Sequence, residues 1–347
     1  MLPYWLLFGY FALGAVNEPF RRSVTSGSNV LLTLGGLAIA VLIGLRYQVG
    51  ADWETYEFMF DFARHADFGR ALEIGDPGYQ MLNWGIQSLG GEIWLVNMVC
   101  GVFFAWGLLR FVQVQPSPWL TLLVAVPYMV IVVAMGYSRQ AVALGILMAG
   151  LASFKENGSL LRFLAYVAFA ALFHKTAVVA FPLVALASRR NRTINVFVAV
   201  TSSILLYDMF LGDSMQQFVE NYIEAEYSSQ GAAIRVVMSV IPAVIFLLQQ
   251  NRFGFSLEER LIWRNFSLAA LGLLVLLFVL PSSTAVDRLA LYVMPLQLAV
   301  LARLPGRVMN PTFGKLVVVA YLFAVQFVWL NFAAHSEYWV PYRFYPL

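Results

Sequence analysis

Along the chain, long apolar runs alternate with short polar breaks. A run of roughly 15–20 apolar residues crosses a hydrocarbon core about 30 Å thick. Such runs fall near 3–16, 29–45, 92–112, 117–135, 138–154, 159–173, 175–187, 193–211, 233–250, 262–281, 286–304 and 313–332. The pattern predicts an all-α fold, a polytopic transmembrane helix bundle of about twelve helices. The sixth and seventh runs meet at Phe173-His174-Lys175, so their common turn is tight or dips into the membrane. With no internal repeat, low-complexity tract or long linker, 1–347 reads as a single integral membrane domain.

The polar breaks carry helical periodicity of their own. In Glu54–Ala66, the side chains of Glu54, Glu57, Asp61 and His65 share one face, and Phe58, Met59 and Phe62 lie on the other. This predicts a helix lying in the membrane interface. Asp76-Pro77 opens another, with Asp76 as N-cap and Pro77 in the first turn. Its apolar positions are Tyr79, Leu82, Ile86 and Leu89. Asp213 or Ser214 caps a third, with Met215, Phe218, Val219 and Tyr222 on one side. Helices of this kind either guide an amphiphile toward a site or seal a loop against lipid.

Composition narrows the class. Hydrophobic residues are 61% of the chain and charged residues 12%, against about 45–50% and about 25% in soluble domains. A soluble enzyme, a disordered chain and a coiled coil are excluded. The single cysteine, Cys100, rules out an internal disulfide and a cysteine-based metal site. The net charge of +3 is dispersed, with no cluster of nucleic-acid type, so membrane lipids and not nucleic acid are the expected surroundings. The opening MLPYWLLFGYFALGAV lacks a basic n-region and reads as a retained helix. Lys and Arg concentrate in one set of loops, including Arg21, Arg22, Arg189, Arg190, Arg192, Arg303 and Arg307, which marks that side as cytoplasmic. Both termini and the acid-rich loop after the second helix then lie outside.

Charge matters most where it breaks that rule. Arg46, Arg139, Lys175 and Arg288 are outer-side cations from four parts of the chain. Arg46 precedes Gly50, Asp52, Glu54 and Tyr56; the two carboxylates suit a general base or a divalent metal, or a plain ion pair with the arginine. Ser138-Arg139-Gln140 opens a helix, with Ser138 as N-cap, and a guanidinium beside a helix N-terminus suits phosphate. His174-Lys175 occupies the tight outer turn. Asp287-Arg288 opens a helix on which Arg288 and Tyr292 share a face, unless Asp287 simply pairs with Arg288. Glu337–Arg343 reads as an aromatic membrane anchor. Gathered with Asp52, the four cations would form one pocket suited to a pyrophosphate leaving group, and no metal is required if Arg and Lys carry the developing charge.

The ordered runs VGADWETY, GDPGYQMLN, SRQAVA, HKTAVVAFP, RLALY and WVPY resemble the EpsG-like family of Wzy-type exopolysaccharide and O-antigen polymerases, from about Arg46 to Tyr342. The resemblance implies a GT-C-like membrane glycosyltransferase with no metal and no cofactor. Its substrate would be an undecaprenyl-pyrophosphate-linked oligosaccharide, joined at the periplasmic face of the bacterial inner membrane. A flippase and a chain-length regulator are the protein partners such a system implies. On this reading Arg139 and Arg288 bind pyrophosphate, helped by Lys175 and Arg46. Asp52 or His174 is the base, and Glu54, Tyr56, Asp76, Tyr79, Gln140 and Tyr292 line the substrate. Two rivals share the substrate: a flippase or transporter, expected to show internal repeats and mid-membrane polar groups, and an O-antigen-ligase-like transferase.

Overall fold

The computed structural model describes residues 1–19, 30–187, 231–280, 283–307 and 310–345, with scattered helical positions between 196 and 204. The run near 193–211 falls largely outside the described residues, as does the helix expected after Asp213. Among the described residues there is no β-strand, and an isolated antiparallel bridge joins Arg46 to Phe344.

Helices form where apolar length predicts them. They are α1 (Leu2–Asn17), α2 (Val30–Gly44), α6 (Ile93–Gln113), α7 (Pro118–Ala125), α8 (Ser138–Asn157), α9 (Leu160–Phe173) and α10 (Ala180–Ala185). Later come α11 (Ala232–Gln249), α12 (Leu257–Val279), α13 (Ser283–Ala290), α14 (Pro295–Leu301) and α15 (Pro311–Phe332). Between α2 and α6 lie three polar-loop helices, α3 (Trp53–His65), α4 (Phe68–Glu73) and α5 (Pro77–Ser88). Helices α6, α11, α12 and α15 are each long and apolar enough to cross a membrane; α13 and α14, with the 3-10 turn between them, add a fifth span if the 45° bend is counted within it. Five further apolar segments are shorter.

The described chain divides into two compact units. The first comprises Met1–Ala149, Leu172–His174 and Lys315–Leu347. Within it, α1 and α15 run antiparallel. At one end the Tyr4 hydroxyl donates to Trp339 O (2.7 Å) and the Gln326 amide to Tyr4 O (3.2 Å). At the other, Lys315 donates to Glu18 O, and the Glu18 carboxylate accepts from the Trp119 backbone. Helices α6 and α8 cross at a pair of glycines: a Cβ on Gly107 would sit 1.8 Å from Gly145 O. Small residues permit such backbone contact where lipid offers no hydrophobic drive.

Helix α7 continues as a π-helix over Val126–Ala134. Pro127 cannot donate an i→i−4 bond, and a wider register absorbs the fault. Every residue of this segment is buried. Trp339 donates its indole N–H to Ile131 O (2.8 Å). The residue expected to be an interfacial anchor is 1% exposed; it fastens a distant segment onto the π-helix.

In the second unit, Gly150–Ala171 and Lys175–Gly314, α11 packs on α12, α13 and α14. Helix α12 opens with a capping box: the Ser256 hydroxyl accepts from Glu259 N and the Glu259 carboxylate accepts from Ser256 N. The same carboxylate meets Lys155 Nζ at 3.0 Å.

Candidate active site

In the first unit, the turn between α2 and α3 is built around a buried cation. Arg46 is 1% exposed. Its Nη1 donates to Ile43 O (2.7 Å), its Nε to Val49 O (3.2 Å), and its Nη2 to Asn97 Oδ1 (2.9 Å) and Ser138 Oγ (2.6 Å). Among the described residues these partners are all neutral. Burial lowers its pKa from the ordinary value, yet arginine stays charged in proteins. The carbonyl end of α2, with its partial negative charge, offsets part of the cost. Ser138, expected as an N-cap, is instead the first residue of α8, and its hydroxyl is an acceptor for Arg46.

Gly50 completes that turn with φ of +107°. A Cβ there would meet Met135 O at 2.3 Å. Only glycine fits, and the contact seats the Asp52 turn three residues before Ser138. Asp52 is the N-cap residue of α3. Helix α3 buries Trp53, Tyr56, Met59, Phe60 and Ala63, while Glu54, Glu57, Asp61 and His65 are exposed as a face. Glu54 and Tyr56 thus lie on different sides of one helix. Phe58, expected on the side opposite the acids, is 66% exposed, and Met59 is buried.

Helix α5 begins at Pro77 with Asp76 before it, as expected, but Asp76 makes no side-chain cap bond. Its Oδ2 accepts from Arg139 Nη1 at 2.8 Å. The pair is largely covered, with side-chain exposures of 23% for Arg139 and 5% for Asp76. The Arg139 guanidinium lies 6.0 Å from the Tyr56 ring centroid, and Tyr56 tilts against Tyr79 at 5.4 Å. Burial pushes the Tyr79 phenol well above its ordinary pKa, so it remains a neutral hydroxyl. Gln140 is buried beside Arg139. A Cβ on Gly78 would lie 3.0 Å from Leu172 O, so glycine lets the start of α5 dock two residues before His174. Arg46, Asp52, Tyr56, Asp76, Tyr79, Arg139, Gln140 and the His174 turn therefore share one end of this unit.

Segment 336–345 closes that end. Gly50 N donates to Tyr338 O (2.8 Å), Tyr47 N to Arg343 O (2.9 Å) and Tyr345 N to Leu45 O (2.8 Å). The Tyr342 hydroxyl donates to Leu42 O (2.6 Å), and Tyr345 to the Glu92 carboxylate.

The second unit holds the other two cations. Lys175 starts a 3-10 turn, Lys175–Val179, that packs against α13, the helix bearing Arg288. Asp287 is buried and accepts from Arg235 of α11. Tyr292, 1% exposed, lies in the 3-10 turn after α13. The four predicted cations thus fall into two sets, Arg46 with Arg139 and Lys175 with Arg288.

Several buried polar residues stand outside the predicted set. Asn97, Gln80, Asn83 and Arg235 are all buried. Gln80 and Asn83 left a trace: Asp76, Gln80, Asn83 and Gln87 recur at helical spacing. Asn97 and Arg235 left none, because their partners lie 51 and 52 positions away. Among the described residues no group of three or more His, Cys, Asp or Glu side chains could hold a metal.

Comparison with curated proteins finds no match, and comparison with solved structures finds none either. A family model, that of the EpsG family, matches residues 29–344. That span takes in the Arg46 turn, the Asp76–Arg139 pair, the Arg288 helix and nearly all of segment 336–345, so the chain belongs to the EpsG family, whose known role is Wzy-type polymerisation.

Proposed function

We propose that this protein joins undecaprenyl-pyrophosphate-linked oligosaccharide repeat units at the periplasmic face of the inner membrane. Its architecture on this reading is a GT-C-like bundle of about twelve helices forming one integral domain. An acceptor hydroxyl attacks the anomeric carbon of the donor sugar. The bond from that carbon to the pyrophosphate oxygen breaks, and undecaprenyl pyrophosphate leaves. Asp52 takes the hydroxyl proton, with His174 as the second candidate. Arg139 and Arg288 bind pyrophosphate with Lys175, and Tyr56, Asp76, Tyr79, Gln140, Glu54 and Tyr292 contact the substrate. A flippase and a chain-length regulator complete the system.

The observation that carries this reading is the pairing of Arg139 with Asp76 beside a buried Arg46 that has only neutral partners. The Asp76 carboxylate holds the Arg139 guanidinium in place. Arg46, closed to solvent, acts through its field and raises the potential where phosphate charge develops. Cations preset in a low-dielectric site stabilise a leaving anion without reorganising. Chain assembly in a host lacking its own polymerase tests the reading. Wild-type protein restores a ladder of long polymer, and Arg139→Ala at normal protein level gives none. Long polymer from Arg139→Ala at normal yield overturns the phosphate role.

A further inference from the structure

Helix α5 buries its polar side. Gln80, Asn83 and Tyr79 are each 0% exposed, while Met81 and Leu89 are 53% and 88% exposed. Burying amides is costly unless their hydrogen bonds are made. Here Asn83 Nδ2 donates to Gln80 Oε1 at 3.3 Å. Gln80 Nε2, Asn83 Oδ1, Tyr79 Oη and Arg139 Nε have no protein partner among the described residues. These atoms belong to one neighbourhood. A Cβ on Gly75 would lie 2.9 Å from Gln80 Nε2 and 3.7 Å from Arg139 Nη1. Of this group the Arg139 side chain alone is partly exposed, at 23%.

The valences left over identify a class of ligand. Gln80 Nε2 and Arg139 Nε can only donate, Asn83 Oδ1 can only accept, and the Tyr79 hydroxyl does both. A phosphate oxygen only accepts, and Asn83 Oδ1 would repel it. Adjacent sugar hydroxyls, or an acetamido group, both donate and accept. We propose that Tyr79, Gln80 and Asn83 form a subsite for a neutral sugar, beside the cation that takes the phosphate. The subsite selects the sugar attached to the lipid carrier. This rests on the polymerase reading above and extends it to two residues, Gln80 and Asn83, that determine specificity.

The test is binding by the purified full-length protein in detergent. The probes are bare undecaprenyl pyrophosphate and the lipid-linked repeat unit extracted from a host lacking its polymerase. Wild-type protein should bind the sugar-bearing carrier about tenfold or more tightly than the bare one. Asn83→Leu should bind both alike and keep its affinity for the bare carrier. If Asn83→Leu does not accumulate, Gln80→Met must show the same loss of preference. A preference retained in the variant, or absent in wild type that binds both carriers, overturns the subsite alone. Failure of wild type to bind either carrier overturns the polymerase reading and the subsite with it.

Discussion

Arg139 Nη1 lies 2.8 Å from Asp76 Oδ2, joining residues 63 positions apart. Its position before Pro77 predicts that Asp76 caps its own helix, and the carboxylate bonds the arginine instead. If Asp76 positions Arg139, the two act as a unit. Asp76→Asn and Arg139→Ala should each cut polymer synthesis about 10²-fold or more. The double variant should lose little beyond the worse single one. In vitro turnover of lipid-linked repeat, with protein level held equal, measures this. Additive losses would separate the two roles.

Gly50 and Gly90 form a controlled comparison. Both have positive φ, +107° and +72°. A Cβ on Gly50 meets Met135 O, whereas one on Gly90 meets nothing within 4 Å. Gly90→Ala should cost about 1 kcal/mol, the backbone preference alone. Gly50→Ala should cost well over about 2 kcal/mol and also lower activity, because the Asp52 turn must shift. Thermal melting in detergent, beside turnover, reads both effects.

Arg235 and Asp287 are a buried pair in the second unit. Removing one partner strands a charge, so Arg235→Met or Asp287→Leu alone should destabilise by about 3–5 kcal/mol. The double variant should recover most of that loss. Melting temperatures of the three proteins settle the matter. The partner of Asp287 in this pair stands 52 positions earlier in the chain.

Trp339 should behave as a core residue. Trp339→Ala should cost about 3–5 kcal/mol, and Trp339→Phe about 1 kcal/mol for the lost bond to Ile131 O. An interfacial anchor would lose little in either variant. Equal melting of Trp339→Ala and wild type would refute the structural role.

The helices were legible because lipid sets their length: α2, α6 and α15 lie within a residue or two of the apolar runs that predict them. The candidate site was legible as a list of residue types and less so as partnerships. A charge at the wrong end of a helix announces itself, which is how Arg46 and Arg139 were found. Who neutralises it depends on which helices touch. Asn97, Asp76 and Trp339 meet their partners 51, 63 and 208 positions away, and no local pattern encodes that. Which face of α5 is buried is hard to read for a related reason. Next to lipid the apolar side can face outward, so amphipathicity alone does not say which side is covered.

The hold of segment 336–345 on the Arg46–Gly50 turn has a consequence for biogenesis. Gln48 waits for Arg343 across 295 positions, so during synthesis nearly the whole chain is inserted before the turn beneath Asp52 can be locked. The nascent protein therefore fixes this turn only at the end of synthesis.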